Sequence, residues 1–535
     1  MTMEKRFRPW SLRQTPIRAL ALGLATLFCP PAAQALPGPE IFVDQSNPAC
    51  PGDGSQANPF CSLQDALNSS ADGDTLRVAP GTYFENVILE GRSIAVISTA
   101  GPQNTFIDAA GLGTALTFRN AGGTTPLFEG FTLQGGSGTA GQGGGLLIDG
   151  AAPTVRNCII TANHTPGQGG GVYCRNLSAP IFEDCVIVNN SSDWDGGGVF
   201  VSGGTLTMTD CVIWKNVARD FGGGLHLRDN PTAIMTNCQI DWNATSALDG
   251  GGAYLDDGLL VFQDCTMTQN YSARDGGGLH FTNNSQALIS SSSIRGNRAF
   301  RDGGGAGVDA ALPEFYQTDV IKNSCGRYGG GIFAENNSSL TFEGGRIWRN
   351  SAMRKHGGGL YLNSCSDILL RNCAISRNDS GQSGGGIYCQ NSSTPRIEGC
   401  EITDNLASKN GGGIYLVSSS PLIDHCTFSL NEALTAGSAI YGRNMSRPVV
   451  QNSILWGDLN NEIILLVGYN GGQPNPHTAP ITFSNIEGMW PGLGNINADP
   501  LFVNPGNGNF RLRAASPCRG AADDGSDMGA HQFGS

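Results

Sequence analysis

Charged residues of both signs recur at one type of bend in the middle of this chain. Each bend leads into three glycines, as in RDGGG at 274–278 and again at 301–305. Carboxylates bind hard cations such as Ca²⁺, and Arg, Lys or His beside them can transfer protons. The acids that directly precede the central triplets are Asp249, Asp275 and Asp302, and the bases of the same bends include Arg274, Arg301, Arg327, Lys355 and His356.

Two kinds of sugar-chain cleavage would use such residues. A lyase acting on uronate polysaccharides neutralises the substrate carboxylate with Ca²⁺ or arginine and removes a proton with a base. In that hypothesis Asp249, Asp275 and Asp302 hold the cation. The catalytic residues are Arg274, Asp275, Arg301, Asp302, Arg327, Lys355 and His356, with the base among Arg301, Arg327, Lys355 and His356. A glycoside hydrolase, the second choice, needs two carboxylates, and acids one repeat apart suit the ~5 Å separation of a retaining enzyme.

The same bend has a purely structural interpretation. Like charges one repeat apart raise one another's pKa unless arginines, a cation or a cationic partner neutralises them. Asp-Gly is also favourable turn chemistry, so a salt-bridged corner explains the charges without any reaction. Toward both ends the bend becomes neutral, as in GQGGG at 167–171 and GQSGGG at 381–386. The charges are therefore not required by the fold and are concentrated in its central repeats.

A column of rings follows the triplets. In segments such as GGGLHL and GGGIYL the aliphatic residues alternate with one residue that we expect to face outward. From repeat to repeat this residue is Tyr173, Phe200, His226, Tyr254, His280, Gly307, Phe333, Tyr361, Tyr388, Tyr415 and Tyr441. Rings favour strands and stack across them, which is one explanation, and an exposed sugar-binding platform is the other. The predicted substrate-binding residues are His226, Tyr254, His280, Phe333 and Tyr361.

These residues are positioned by a repeat that runs through most of the chain. Glycine triplets from 143 to 411 and asparagines from Asn163 to Asn431 recur in phase every 26–28 residues. Each unit alternates apolar and polar residues over short runs, which is strand periodicity, and contains no helical pattern. About 27 residues suffice for three short strands and three bends, one turn of a parallel β-helix. Asparagine tolerates left-handed backbone angles and can hydrogen-bond to the copy above it.

The paired landmarks, GG[GA][ILV] and an asparagine three residues after an apolar position, resemble the right-handed parallel β-helix repeats of secreted bacterial proteins in the pectate-lyase-like superfamily. They are also similar to the repeats of chlamydial polymorphic membrane proteins. The resemblance implies an all-β fold, a single-stranded right-handed parallel β-helix with an N-terminal cap and a C-terminal extension. It implies no single activity, because this fold carries lyases, hydrolases, epimerases and adhesins.

The two ends of the chain depart from the repeat. Residues 1–35 combine a basic stretch, the short apolar run ALALGLATLF and a small-residue cleavage site, which predicts an export signal. The rest divides into an N-terminal cap at 36–75, the parallel β-helix at 76–456 and a C-terminal cap or extension at 457–535. No later segment predicts a transmembrane helix. We therefore expect a monomer that is secreted from a bacterial cell or held at its surface.

Composition narrows the partners and the role of the cysteines. The net charge of −13 argues against a nucleic-acid binder, which needs a basic face, and leaves polysaccharide as the expected partner. Repeated cysteines such as Cys158 and Cys185 are expected to be small buried hydrophobes, and no CxxC or Cys/His cluster predicts zinc. The expected disulfide is Cys50–Cys61, and the weaker candidates are Cys174–Cys185 and Cys389–Cys400.

Two functions remain open at this point. The first is a secreted protein that binds polysaccharide along the glycine-triplet face. If it is an enzyme, it cleaves that polysaccharide, and a uronate lyase is the favoured activity. The second is a non-catalytic adhesin or structural protein of the cell surface, in which the ladders only stabilise the fold. The central charges and the ring column favour the first, and the similarity to polymorphic membrane proteins favours the second.

Overall fold

A computed structural model describes residues 38–119, 125–138, 143–365, 367–466 and 479–533. On each turn the chain passes through three long parallel sheets, and on most turns through a fourth, shorter one. The predicted all-β parallel solenoid with ~27 residues per turn is confirmed, and it has about 14 turns. The predicted export signal at 1–35 lies outside the described residues.

The strands that follow the glycine triplets form one sheet, here named the triplet sheet. Its strands are parallel and in register, so His226 lies beside Tyr254 and Tyr254 beside His280. The 15 described strands are Val87–Glu90, Leu116–Arg119, Leu146–Asp149, Val172–Arg175, Val199–Ser202, Leu225–Arg228, Ala253–Asp256, Leu279–Thr282, Ala306–Asp309, Ile332–Glu335, Leu360–Asn363, Ile387–Gln390, Ile414–Val417, Ile440–Arg443 and Ile463–Leu465.

Two further long sheets complete the walls of the solenoid. The second sheet comprises Glu40–Val43, Thr75–Val78, Ala95–Ser98, Leu127–Glu129, Thr154–Arg156, Ile181–Glu183, Thr205–Thr209, Thr232–Thr236, Leu259–Gln263, Gln286–Ser290, Leu312–Tyr316, Ser339–Glu343, Asp367–Arg371, Arg396–Glu398, Leu422–Asp424, Val449–Gln451 and Ile481–Thr482. The third sheet comprises Gly81–Tyr83, Thr105–Asp108, Thr132–Gln134, Ile159–Thr161, Val186–Val188, Val212–Trp214, Gln239–Asp241, Thr266–Thr268, Ser293–Arg295, Asp319–Ile321, Arg346–Trp348, Ala374–Ser376, Glu401–Thr403, Thr427–Ser429, Ile454–Leu455 and Asn485–Ile486.

A short sheet of two-residue strands lies between the third sheet and the next glycine triplet. Its described strands are His164–Thr165, Ser191–Ser192, Val217–Ala218, Ala244–Thr245, Tyr271–Ser272, Arg298–Ala299, Ser324–Cys325, Ser351–Ala352, Asp379–Ser380, Leu406–Ala407 and Glu432–Ala433. Every second side chain of each long strand points inward, as the two-residue period requires. One turn thus contributes the fully buried Leu255, Phe262 and Met267 to the core.

A buried asparagine closes the corner between the third sheet and the short sheet. The Nδ2 of Asn270 donates to Oδ1 of Asn297 at 3.0 Å and to the Ile240 carbonyl at 2.8 Å. The same Oδ1 of Asn297 accepts the backbone N–H of Asn270 at 2.9 Å. This is the predicted asparagine ladder, and it gives partners to backbone groups that the corner buries. Its members are Asn163, Asn190, Asn216, Asn243, Asn270, Asn297, Asn323, Asn350, Asn378, Asn405 and Asn431.

The described cysteines form one disulfide, the predicted Cys50–Cys61. The weaker candidate bridges, Cys174–Cys185 and Cys389–Cys400, are wrong, since all four are buried free thiols. The first member of each pair lies in the triplet sheet and the second precedes a strand of the third sheet, so they stand on separate walls. The repeated thiols instead donate to carbonyls of the previous turn, as Cys185 Sγ does to Val155 at 3.3 Å.

Both ends of the solenoid are covered. Helix α1 (Leu63–Ser69) begins after Ser62, whose hydroxyl accepts the Asp65 N–H, and buries Leu63, Ala66 and Leu67 against the first turn. At the other end, parallel pairing extends past the predicted limit of 456 to the strand Asn485–Ile486. A hairpin of Phe502–Asn504 and Asn509–Leu512, joined by the 3-10 helix Pro505–Asn507, follows. Among the described residues, no helix has the length and apolar character needed to cross a membrane.

Candidate functional site

The glycines of each bend are required by the backbone. Gly276 has a φ of 65°, and a Cβ atom there would lie 2.3 Å from the Leu279 carbonyl oxygen. A Cβ on Gly277 would lie 2.5 Å from the carbonyl oxygen of Gly304, one turn away. In a neutral bend, Gly384 has a φ of 71°. The glycines therefore belong to the fold whether or not charges precede them.

The three central aspartates form a ladder beside the triplets. Oδ1 of Asp249 accepts the backbone N–H of Asp275 at 2.8 Å, and Oδ1 of Asp275 accepts that of Asp302 at 3.0 Å. Oδ1 of Asp302 accepts the N–H of Tyr328 at 3.0 Å. All three aspartates are at most 5% exposed. One oxygen of each is therefore committed to the backbone of the next turn.

The second oxygen of each aspartate faces an arginine of the following turn. Nη2 of Arg274 lies 3.2 Å from Oδ2 of Asp249, and Nη2 of Arg301 lies 3.1 Å from Oδ2 of Asp275. Arg327 pairs with Asp302 in the same way, at 2.5 Å. Of the three neutralisers that the sequence allows, the structure therefore contains the arginines. Their side chains remain 39% to 43% exposed.

The bases form an outward-facing row along the solenoid, here named the arginine row: Arg274, Arg301, Arg327 and Lys355. The backbone N–H of Arg301 donates to the carbonyl of Arg274 at 2.8 Å, and that of Arg327 donates to the carbonyl of Arg301 at 2.7 Å. Lys355 occupies the equivalent position on the next turn and is exposed. The row thus presents one cation per turn, next to a buried acid on three of the four turns.

Burial sets the protonation of several groups in these bends. It raises the pKa of Asp275 to about 7, together with the charges of Asp302 and Asp249, and Arg301 acts in the opposite direction. Burial and the charge of Lys355 lower the pKa of His356 to about 4, so its imidazole is neutral at pH 7. The hydrogen bond to Asp302 raises the pKa of Arg327, which makes that guanidinium a poor proton acceptor.

The aspartates do not suit the predicted calcium ion. Ca²⁺ takes about six to eight oxygen ligands, whereas the carboxylates of Asp249, Asp275 and Asp302 already bind backbone N–H groups and guanidinium groups. In the part of the chain that the structure describes, no three His, Cys, Asp or Glu side chains are placed to hold a metal ion. Arginines neutralise these carboxylates in the structure, and calcium binding stays a prediction.

The ring column stacks as expected, but it is not the open strip that the sequence predicts. The centroids of Tyr254 and His280 lie 5.4 Å apart with an interplanar angle of 10°, and those of Tyr361 and Tyr388 lie 5.1 Å apart at 8°. The predicted substrate-binding residues are nevertheless buried, with exposures of 2% for His226, 8% for Tyr254, 6% for His280, 7% for Phe333 and 4% for Tyr361. Their role in substrate binding stays a prediction, and their burial weighs against it.

Rings from the bends cover this column. Phe221 lies 4.4 Å from Tyr254, and Tyr328 lies 4.6 Å from Tyr361, between ring centroids. His356 covers Tyr388 in the same way at 4.5 Å. The predicted exposure is wrong because the column faces away from the core but the bend folds back over it. The signal was present in the sequence, as a ring directly before the triplet on those turns.

Comparison with solved structures finds several that are similar to this chain. The solved structures that are similar include a pectate lyase (10% identity, 93% of this chain, 96% of that chain, TM-score 0.22). Another is the A-module of an Azotobacter vinelandii mannuronan C-5 epimerase, which is 10% identical over 82% of this chain and 94% of that chain, with a TM-score of 0.30. A third is an alpha-1,3-glucanase catalytic domain in complex with tetrasaccharides, which is 13% identical over 83% of this chain and 70% of that chain, with a TM-score of 0.30.

Sequence comparison gives the family directly. No curated protein matches the chain. The family described as "Right handed beta helix region" matches residues 86–233, 215–421 and 318–471, which together span well over half of the chain. The glycine triplets and the asparagine ladder lie within these segments. The chain therefore belongs to the right-handed β-helix family.

Proposed function

We propose that the protein binds an acidic polysaccharide along the arginine row. The observation that carries the proposal is the regular recurrence of Arg274, Arg301 and Arg327 as partly exposed guanidinium groups on successive turns. Adjacent turns of a parallel solenoid are ~4.8 Å apart. A surface that repeats one cation per turn suits a ligand that repeats its anions, and a polyuronate carries one carboxylate on each sugar.

Each aspartate orients its arginine without occupying all of its donors. A guanidinium has about five N–H donors, and the ion pair uses those on its inner side. The Nε–H of Arg274 and of Arg301 is buried, but all three guanidinium side chains stay partly exposed, and their outer N–H groups match the geometry of a carboxylate. Because Asp302 is 1% exposed, a ligand meets the positive charge and not the acid behind it. Side chains that are already held in position lose little conformational entropy on binding.

Cleavage of the bound chain by β-elimination is a second candidate, favoured by the neutral imidazole of His356 beside Lys355. In that reaction a base removes the proton on the carbon next to the uronate carboxylate. The electron pair forms a double bond, the bond to the neighbouring sugar's oxygen breaks, and that oxygen takes up a proton. Arginines of the row would stabilise the charge that develops on the carboxylate. His356 is neutral at pH 7 and can accept a proton, whereas Arg327, whose pKa is raised, stays protonated.

A glycoside hydrolase is less well supported. Its two carboxylates must reach the glycosidic bond, whereas Asp275 and Asp302 are buried and hydrogen-bonded to the next turn. A non-catalytic adhesin of the cell surface would use the same row only for attachment. The predicted export signal would place the protein outside the cytoplasm, whether it acts as an enzyme or as an adhesin.

The test is binding of the purified mature protein to polygalacturonate, to alginate and to a neutral glucan, by affinity electrophoresis. We expect both acidic polymers to bind and the neutral one to pass freely. K355S should weaken binding roughly threefold or more, because one unpaired cation is lost. K409S is the matched control, since Lys409 stands at the equivalent position two turns later, beyond a neutral bend. New ultraviolet absorbance from double bonds would identify a lyase, and no binding of either acidic polymer would refute the proposal.

A further inference from the structure

An exposed basic surface lies on another corner of the solenoid, where the third sheet passes into the short sheet. We name it the tryptophan edge, and it comprises Arg295, Arg298, Lys322, Trp348 and Arg349 on three consecutive turns. Arg295 is in register with Ile321, and Ile321 with Trp348, so these residues follow one another along the axis of the solenoid. The four cations are all exposed.

The indole of Trp348 fixes two of these cations. The guanidinium carbon of Arg349 lies 4.3 Å from the ring centroid, and Nζ of Lys322 lies 5.7 Å from it. Such contacts attract the cation to the face of the ring. On an earlier turn, Nζ of Lys215 lies 4.2 Å from the ring of Trp214. The rings of this corner therefore hold positive charge at defined places on the surface.

The charge of the tryptophan edge is not compensated within the described residues. In that part of the chain there is no ion-pair partner for Arg295, Arg298, Lys322 or Arg349. Arg346, which lies beside them, does pair with Asp319, at 2.5 Å. Four cations on three turns stand close enough to repel one another. The chain is rich in acids, with a net charge of −13, and yet none of the acids that the structure describes forms an ion pair with these four. Such a surface favours an anionic partner.

We propose that the tryptophan edge is a second binding surface for acidic polysaccharide, which recognises its carboxylate or sulfate groups. The inference rests on the proposed function, because it assigns the same class of ligand to a second site. The two surfaces meet on one turn, where Arg298 and Arg301 flank the exposed Phe300. A bound chain can therefore pass from the arginine row to the tryptophan edge and contact cations on both.

The ring contacts distinguish this surface from a nucleic-acid site. Single-stranded nucleic acids stack their bases on open aromatic faces between basic residues. Here Lys322 and Arg349 already lie against Trp348, so the surface presents charge more than ring. An anionic polysaccharide needs no open ring faces for stacking and therefore fits this arrangement better.

The experiment compares the triple variant R295S/K322S/R349S with R228S/R447S/R511S. The second variant is the control, since it removes three exposed arginines elsewhere and changes the net charge equally. Affinities are measured at low salt for polygalacturonate, heparin, uncharged dextran and a single-stranded oligodeoxynucleotide. We expect the edge variant to bind the preferred acidic polysaccharide at least about tenfold more weakly, and the control to stay within about twofold of the wild type. The preference between polygalacturonate and heparin separates carboxylate from sulfate recognition.

The remaining outcomes overturn the inference in distinguishable ways. Equal affinities of the edge variant and its control would refute binding at the tryptophan edge. If K355S still weakened binding in that case, the arginine row would be the only binding surface of the two. A wild-type protein that binds neither acidic polysaccharide would refute both proposals together. Tighter binding of the oligodeoxynucleotide than of both polysaccharides would reassign the edge to nucleic acid. Circular dichroism of both variants checks that the exposed substitutions leave the β-helix intact.

Discussion

The charged bends at the centre of the solenoid and the neutral bends toward its ends share one backbone. The N–H of Gly276 donates to the carbonyl of Asp302 at 3.0 Å, and the N–H of Gly384 donates to that of Asn410 at 3.1 Å. The side chain before the triplet differs, Asp275 in the first bend and Ser383 in the second, and both are buried. The bend closes equally well over an aspartate or a serine. The charges of the central bends are therefore not needed for folding and can serve binding.

The largest effect should come from the glycines, and it should be equal in the two kinds of bend. Gly276→Ala and Gly384→Ala each place a Cβ at positive φ and against a carbonyl, at 2.3 Å and 2.7 Å. We expect each to cost on the order of 3 kcal/mol of stability, seen as a lower midpoint of thermal or urea unfolding. A Gly384→Ala protein as stable as the wild type would show that the two backbones differ after all.

The second largest loss of stability should occur only in the charged bends. Asp302→Ala leaves the partly buried N–H of Tyr328 without its acceptor and removes the partner of Arg327. We expect a loss of about 2 kcal/mol in urea unfolding, limited because the Arg327 side chain is 43% exposed and regains water. Asp302→Asn keeps an oxygen for the Tyr328 N–H and should cost about half as much. Equal losses for both variants would assign the whole effect to the ion pair.

A smaller, pH-dependent effect should belong to the charged bends. Because the pKa of Asp275 is raised to about 7 from its ordinary 3.8, the folded protein keeps a proton there that the unfolded chain releases. Stability from this group is therefore fully present below pH 3.8 and declines as the pH rises toward 7. We expect the Tm difference between Asp275→Asn and the wild type to shift in favour of the variant by about 2 °C across this window. A constant difference would contradict the raised pKa.

The smallest effect should come from a polar residue of a neutral bend. Gln382 is the position that follows Lys355 along the arginine row, and its Nε2 donates to the Arg354 carbonyl at 3.2 Å in an exposed setting. Gln382→Ala should change stability by less than about 0.5 kcal/mol and leave polysaccharide binding unchanged. A marked loss of binding would extend the functional surface beyond the charged turns.

The sequence was sufficient for the fold because its two landmarks have separate physical causes. The triplets are needed where a Cβ has no room, and Asn270 and its counterparts are needed where a corner buries backbone groups. Both constraints act within one turn and repeat with it, so they are visible as spacing. The pairing of each aspartate with the arginine of the next turn was one of three open alternatives, and only the structure chooses among them.

Burial and surface clustering were harder to predict. The alternation in GGGLHL shows that His226 points away from the core, but not that a bend returns to cover it. The tryptophan edge was missed in part because Lys322 and Arg349 occupy left-handed backbone positions, with φ of 56° and 53°. Such positions are normally occupied by Gly or Asn, so a bulky residue there follows no strand or turn pattern.

The asparagine ladder gives the solenoid a direction, much as a filament has unlike ends. Each side-chain amide donates toward the C-terminal neighbour, from Asn163 to Asn190 and on to Asn431. At the first member, the amide oxygen of Asn163 accepts the Gly136 N–H at 2.8 Å. Asp458 closes the donor end by accepting the Asn431 N–H at 2.5 Å. The column therefore starts and stops within one molecule, with a backbone N–H at one tip and a carboxylate at the other.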